Sequence, residues 1–467
     1  MDKFLKLINK DKNKRLFFYF IPAPLLSNLL LNIYNEEFVF AFQNSSKLTE
    51  QLNLILGFFL FIFYVIIGHT LKSIFSFEFV CTGVILFWII IFALDNFLLF
   101  FTKNLSFSTY LSCSFIIFVI SIFFITKVSK KPILLIFMFT FLRTLTKLMA
   151  SISSDLSIAI DQLYTSDEIK LWYPALRTLY EDNYYSIFVD NPYEGYGLLT
   201  SYVSSINTFI LNQSLEFKYY PGINYLFIFL FFYFLFEVAN SKKTLLINYL
   251  IFLPILLTSS WFTYVFFGSL LSECVSSFCF GVLFTEINKS RLQNTKSFSL
   301  LMLMFGFLYY TRQFISTIVL VYLIYLLFNR KNVKIFIGFS PFLLKWLQSI
   351  FFPGTSIDPY IKEGMFENIY FNYSNIIKTI LQFAIDKPVT YLFIIFFALT
   401  IIYPQHDENL NDFYLVFLIN LLFVFGLVVF LWNKPEVQSS YRYILNTFYL
   451  ILYPLTKIFD SQFEENN

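Results

Sequence analysis

The residues best suited to chemistry are two adjacent carboxylates, Asp167 and Glu168, in a polar stretch between long apolar runs. A carboxylate at a partly desolvated membrane surface has a raised pKa, which lets it accept a proton from a hydroxyl as a general base. We predict that Asp167 is this base. Glu168 would orient the hydroxyl-bearing substrate or support a divalent cation, although two adjacent carboxylates alone make a poor metal site. The competing interpretation is a solvated carboxylate pair without a catalytic role.

Cations on the same side of the membrane as these two carboxylates would stabilise an anionic leaving group. Arg312 lies in a tight turn between two apolar segments, and Arg442 opens the last apolar segment. We predict that both bind substrate, with snorkelling to lipid headgroups as the alternative. Glu273 is an acid just inside an apolar run, where charge is costly and often functional, so it joins the predicted binding residues. A hydrogen bond between helices would explain Glu273 equally well.

The composition predicts the setting in which these residues act. Of the 467 residues 58% are hydrophobic and only 13% are charged, and the mean hydropathy is +0.67. Apolar runs recur from end to end, and we count about fourteen that are long enough to cross a bilayer. The sequence therefore predicts an all-α, polytopic integral membrane protein. A net charge of +3 is too small to indicate binding to nucleic acid.

Five regions follow from the alternation of apolar and polar stretches. Residues 1–151 are predicted to form a transmembrane part of five helices, and residues 152–218 an extracytoplasmic acidic loop with juxtamembrane helices. Central transmembrane helices occupy 219–351, a second outside loop 352–388, and the last transmembrane helices with a cytoplasmic tail 389–467. Within the acidic loop, Trp172, Leu176 and Leu179 share one helical face, a pattern typical of a helix lying on the membrane surface.

Lysine and arginine set the orientation, because cytoplasmic loops carry an excess of them. The loops near Lys72, Lys289 and Arg330 are predicted to be inside, which leaves the acidic loop outside. The stretch 197–211 is short and apolar, and we favour an interfacial helix over a crossing there. One loop departs from the rule: residues 404–412 contain three acids and no Lys or Arg, although the alternation of spans puts them inside.

The sequence lacks the residue patterns of several common functional sites. The two histidines, His69 and His406, lie far apart in segments of opposite character, which disfavours a histidine metal site or a Ser-His-Asp triad. No glycine-rich phosphate loop is present, so nucleotide hydrolysis is not expected. The four cysteines, Cys81, Cys113, Cys274 and Cys279, fall in or beside apolar segments, and we interpret them as packed thiols.

The order of motifs resembles a known superfamily. Asp167 and Glu168 in an outside loop, then Trp172 and Tyr173 with Pro174, then an amphipathic helix, are similar to the multispanning GT-C glycosyltransferases. The resemblance is strongest over about 155–239, and Arg442 at the start of the last span extends it. It implies a GT-C-like fold and transfer of a sugar from a polyprenyl-phosphate donor to a glycan, lipid or protein acceptor. One departure is that about five spans precede the acidic motif here.

Within this interpretation, Trp172 and Tyr173 would stack on sugar rings, with an interfacial aromatic belt as the alternative. No cofactor is firmly predicted, and a divalent cation, Mg²⁺ or Mn²⁺, is the candidate. The expected location is a bacterial inner membrane, with the active site facing the periplasm or the exterior. Two alternatives remain: an O-antigen-type polymerase or ligase, which would depend on Arg312 and Arg442 more than on Asp167, and a flippase or transporter of lipid-linked sugars.

Overall fold

A computed structural model describes the helical parts of the chain that pack together. It covers residues 47–102, 199–200, 203, 221–239, 244–245, 273–290, 295–311, 313–330, 332–351, 408–426, 449–450 and 452–457. All regular structure in these ranges is helical, with no strand among them. The all-α prediction is confirmed for this part of the chain.

The described helices occur in the following order along the chain. They are α1 (Lys47–Phe75), α2 (Val80–Thr102), α3 (Pro221–Val238), α4 (Glu273–Ser290), α5 (Thr295–Phe307), the 3₁₀ helix η1 (Leu308–Tyr310), α6 (Gln313–Arg330), the 3₁₀ helix η2 (Val333–Phe339), α7 (Ser340–Phe351) and α8 (Glu408–Gly426). The run predicted at 335–351 is thus built from two elements, η2 and α7.

Among the described residues, no single helix is both long enough and apolar enough to cross a membrane. The consecutive helical segments Leu60–Phe75 and Val80–Ala93 are long and apolar enough only when taken together, and a bend of 95° separates them.

A tight turn joins α1 to α2. Ser76 adopts a left-handed conformation with φ of 58°, and the N–H of Phe77 donates to the carbonyl of Lys72 at 3.1 Å. This is the Schellman ending of a helix, usually made by glycine because other residues have a Cβ that strains it. Close to the turn the two helices touch at Gly68 and Gly83, where an added Cβ at Gly83 would overlap the Gly68 carbonyl.

Aromatic side chains fill the space between α1, α2, α3 and α4. Phe61 of α1 stacks on Phe229 of α3 with ring centroids 5.4 Å apart. Trp88 of α2 meets the edges of Phe227 and Phe278, at 5.9 and 6.1 Å. Each of these rings is almost fully buried. Burial of such large apolar surfaces is the main favourable term in packing the four helices together.

The described helices run in both directions along the bundle, which gives it two distinct ends. At the polar end lie the α1–α2 turn, the C-termini of α3, α4 and α6, and the N-terminus of α8, all joined by the hydrogen bonds given below. At the turn end lie η1, Thr311 and the first residue of α4. About 25 Å separates the ends, given the length of α5 with η1.

Candidate functional site

The structure describes few of the residues predicted to do chemistry. Asp167, Glu168, Trp172, Tyr173, Arg312 and Arg442 lie outside the described residues. Glu273 is the first residue of α4, which puts its backbone at the turn end. The predictions for these seven residues therefore stay predictions. The structure describes the helix that begins at Glu273 and the residues on either side of Arg312.

The turn end is built around the break between α5 and α6, directly before Arg312. Thr311 closes η1: its hydroxyl and its N–H both donate to the carbonyl of Leu308, at 2.6 and 3.0 Å. Tyr310 is anchored from two sides, with its hydroxyl donating to the carbonyl of Pro341 at 3.2 Å and its ring 5.8 Å from that of Phe92. Buried groups thus hold Tyr310 and Thr311, the two residues before Arg312 in the sequence.

The end of the acidic segment reaches this same turn. Thr200, which is buried, donates its hydroxyl to the carbonyl of Thr311 at 3.0 Å. Leu199 and Val203 are buried as well. Thr200, which follows Asp167 by 33 positions in the sequence, therefore lies against Thr311, the residue before Arg312.

At the polar end, two buried carboxylates hold the start of α2. Glu286 of α4 accepts the N–H groups of Glu78 and Phe79 at 2.7 and 3.0 Å and the hydroxyl of Thr82 at 2.9 Å. Glu237 of α3 accepts the N–H groups of Val80 and Cys81 at 2.6 and 3.2 Å, a continuation of the same backbone. The N-terminus of a helix has unpaired N–H groups and a partial positive charge, so both carboxylates stabilise it.

Lysines surround these acids. The ammonium group of Lys72 lies 3.8 Å from a Glu237 oxygen and donates to the carbonyl of Glu78. Lys289, in the last turn of α4, lies 4.9 Å from the centroid of the Phe79 ring. Burial lowers the pKa of Lys289, and the charge of Glu78 acts against that shift. These charges compensate one another inside the protein.

A second polar cluster joins α6 to α8. Arg330 and Asp412 form an ion pair of 2.6 Å, with both side chains nearly buried. Tyr322 and Tyr325 donate their hydroxyls to the same carboxylate at 3.1 and 3.2 Å, and Asn288 of α4 accepts from Arg330 at 3.4 Å. The loop predicted at 404–412 is wrong for residues 408–412, because they form the start of α8, and Asp412 pairs there with Arg330, the last residue of α6.

Sequence analysis missed the roles of Glu237, Glu286 and Asp412. A signal was available for the first two, because an acid at the end of an apolar run needs a partner inside the protein. Their partners are backbone N–H groups more than 150 residues away, which no side-chain pattern reveals. Asp412 stood in the loop that disagreed with the orientation rule, and that disagreement was itself the signal.

The described residues offer little that would bind a metal. Among them, no three His, Cys, Asp or Glu side chains are grouped closely enough to hold a metal ion. Cys81 and Cys279 are buried thiols without a disulfide. Both agree with the packed thiols predicted from the sequence.

Comparison with known proteins gave no match to a family model, to a curated protein or to a solved structure.

Proposed function

We propose that this protein is a polytopic membrane glycosyltransferase of GT-C type. It transfers a sugar from a polyprenyl-phosphate donor to a glycan, lipid or protein acceptor on the extracytoplasmic face of a bacterial inner membrane. Asp167 is the general base, Glu168 orients the acceptor, and Arg312 and Arg442 stabilise the departing lipid phosphate. Trp172, Tyr173 and Glu273 contact the substrates.

The observation that supports this proposal most is the hydrogen bond of 3.0 Å between Thr200 and the carbonyl of Thr311. It ties Thr200, within the segment 152–218, to the residue before Arg312. A base and a cation are both needed when a hydroxyl attacks a sugar whose leaving group is a phosphate. Contact between the segment that contains the proposed base and the residue before the proposed cation is in keeping with this need.

The separation of charge supports it too. At the polar end, the described acids Glu237, Glu286 and Asp412 accept hydrogen bonds or form ion pairs within the protein. They serve the packing of helices, and the acids of segment 152–218 lie in a different part of the sequence. The proposal therefore gives catalysis to the acids of that segment and leaves the described acids to the fold.

The test is a transfer assay on purified protein in liposomes, with radiolabelled polyprenyl-phosphate hexoses and pentoses as donors and extracted membranes as acceptor. The variant is Asp167→Asn, and the matched control is Asp182→Asn, another acid of the same segment. We expect Asp167→Asn to lose transfer by a factor of about 10²–10⁴, as when a general base is removed. The control should retain transfer, and both variants should have wild-type unfolding temperatures.

Three other results would contradict the proposal. Transfer that survives in Asp167→Asn but is lost in Arg442→Ala would favour an O-antigen-type polymerase or ligase. Movement of the lipid-linked sugar across the liposome membrane without product would indicate a flippase or transporter. Equal losses in Asp167→Asn and Asp182→Asn would mean that no single carboxylate acts as base. A parallel assay with a chelator decides whether Mg²⁺ or Mn²⁺ takes part.

A further inference from the structure

One side of the described bundle is apolar on its outer surface. Phe328 of α6 is 78% exposed and Val333 of η2 is 76% exposed. Ile324, Phe336, Leu343 and Trp346 are exposed on the same two neighbouring elements, α6 and η2–α7. We call these six residues the apolar band. A helix that faces water carries polar residues on its outer side, so the band is an unusual surface.

The opposite sides of these elements are apolar as well and pack inward. Tyr322, Leu323 and Leu326 of α6 are buried. Ile335 and Gly338 of η2 are buried too, and Gly338 touches Gly306 of α5 so closely that a Cβ on Gly306 would overlap the Gly338 carbonyl. The elements are therefore apolar all round, which is the pattern of a helix that faces protein on one side and lipid on the other.

Charged residues stand at the ends of this surface. Helix α6 has no charged side chain before Arg330, its last residue, which leaves about 26 Å of uncharged helix. Lys334 follows in η2. Residues 335–344 are also free of charge, and Lys345 comes next in the sequence. The uncharged length of α6 comes close to the thickness of the hydrocarbon layer of a bilayer, about 30 Å.

The backbone of η2 also meets the requirement of a lipid environment, in which polar groups need partners within the protein. Asn332 caps the start of η2, since its side chain accepts the N–H of Lys334 at 3.0 Å. The N–H of Ile335 donates to the carbonyl of Asn332 at 3.1 Å. At the other end the N–H of Ser340 donates to the carbonyl of Ile337, and the Ser340 hydroxyl donates to it at 2.7 Å.

We propose that the apolar band is in contact with the acyl chains of the bilayer, with Arg330 and Lys334 level with the phosphate groups at one membrane surface. A typical protein interface carries direct hydrogen bonds across it, and five of the six residues of the band have purely hydrocarbon side chains. The proposal rests only on the membrane setting of the proposed function, and it stands whether or not the protein transfers sugars.

The test uses tryptophan fluorescence in liposomes. The chain has five tryptophans, and a variant that keeps only Trp346, with Trp88, Trp172, Trp261 and Trp432 changed to Phe, reports on the band. Phospholipids brominated near the headgroup or near the chain ends quench a tryptophan that touches them, and iodide quenches one that meets water. A matched variant keeps only Trp88, which is 1% exposed.

We expect brominated lipids to remove most of the Trp346 fluorescence. A tryptophan placed by Ile324→Trp in a tryptophan-free background should respond more to the deep bromine, because position 324 lies six residues along α6 from Arg330. Iodide should leave both unquenched, and Trp88 should respond to neither quencher.

Iodide quenching of Trp346 would overturn the proposal, because the band would then face water. Insensitivity of Trp346 to both quenchers would overturn it as well, because a second copy or another protein would then cover the band. Should the variants fail to fold, labelling of the wild-type protein in liposomes with a lipid-soluble carbene reagent replaces them. Modification at Phe336 and Trp346 supports lipid contact, and its absence there contradicts it.

Discussion

The two ends of the bundle use polar groups in different ways. At the polar end, buried carboxylates from α3, α4 and α8 accept hydrogen bonds from backbone N–H groups and tyrosine hydroxyls, and one of them pairs with an arginine. At the turn end, hydroxyl and backbone groups around Thr200 and Thr311 build a rigid turn directly before Arg312. The comparison indicates that buried charge stabilises the fold at the polar end, while the described groups at the turn end are hydroxyls and backbone groups that precede Arg312, the residue we propose to bind substrate.

If this comparison is right, substitutions at the polar end lower stability without changing transfer per folded molecule, and substitutions at the turn end do the reverse. The predictions below test each half, in order of the expected effect.

The largest effect is expected at the Arg330–Asp412 pair. Arg330→Met leaves the Asp412 carboxylate buried without its cation, which typically costs about 3–5 kcal/mol. The measurement is thermal unfolding in detergent, followed by circular dichroism. Adding Asp412→Leu to the same protein should recover much of the loss, because the uncompensated charge is then removed. Lys331→Met, at the next position, is the control, and a loss as large as that of Arg330→Met would contradict the importance of the pair.

Arg312→Ala should lower the transfer rate by about 10²–10³-fold, the usual effect of removing one group that stabilises developing negative charge. Its unfolding temperature should stay that of the wild type. Arg312→Lys should keep part of the rate, since it retains the charge and loses the bidentate geometry. Arg291→Ala, one residue beyond α4, is the control at the other end. An unfolding temperature that drops with Arg312→Ala would show that Arg312 supports the fold.

Glu286→Gln keeps the size of the side chain and removes its charge. Because the carboxylate accepts two backbone N–H groups and a hydroxyl, we expect a loss of about 1.5–3 kcal/mol, the range for hydrogen bonds to charged groups. Glu237→Gln should cost a similar amount. Chemical denaturation in mixed micelles measures both. Transfer per folded molecule that falls in either variant would mean that the polar end also serves the reaction.

The smallest effect is a gain. Ser76 holds a positive φ at the end of α1, and glycine adopts that conformation without strain, so Ser76→Gly should stabilise the protein by about 1 kcal/mol. Ser73→Gly, within the last turn of α1, should instead destabilise it by about 0.5–1 kcal/mol. A thermal shift assay on the two variants is sufficient, and shifts of the same sign would contradict the Schellman ending.

The sequence by itself determined the helical class and the positions of the described helices. Runs such as that of α2 and α6 are apolar for their whole length, and helix is the structure that satisfies their backbone groups locally. Lysines near positions 72, 289 and 330 also predicted which helix ends belong together, and the structure joins those ends at the polar end. Local composition predicts these features because helix formation and the charge at a helix end depend on residues that are neighbours in the chain.

The tertiary structure alone decided how the acids are used. Glu237 and Glu286 looked like isolated charges at the ends of apolar runs, and only folding brings them to the N–H groups of residues 78–81. Asp412 has no cation near it in the sequence, and only the packing of α8 beside α6 brings it to Arg330. The contact between Thr200 and Thr311 is likewise invisible in the sequence, because it joins residues 111 positions apart through the packing of the helices between them.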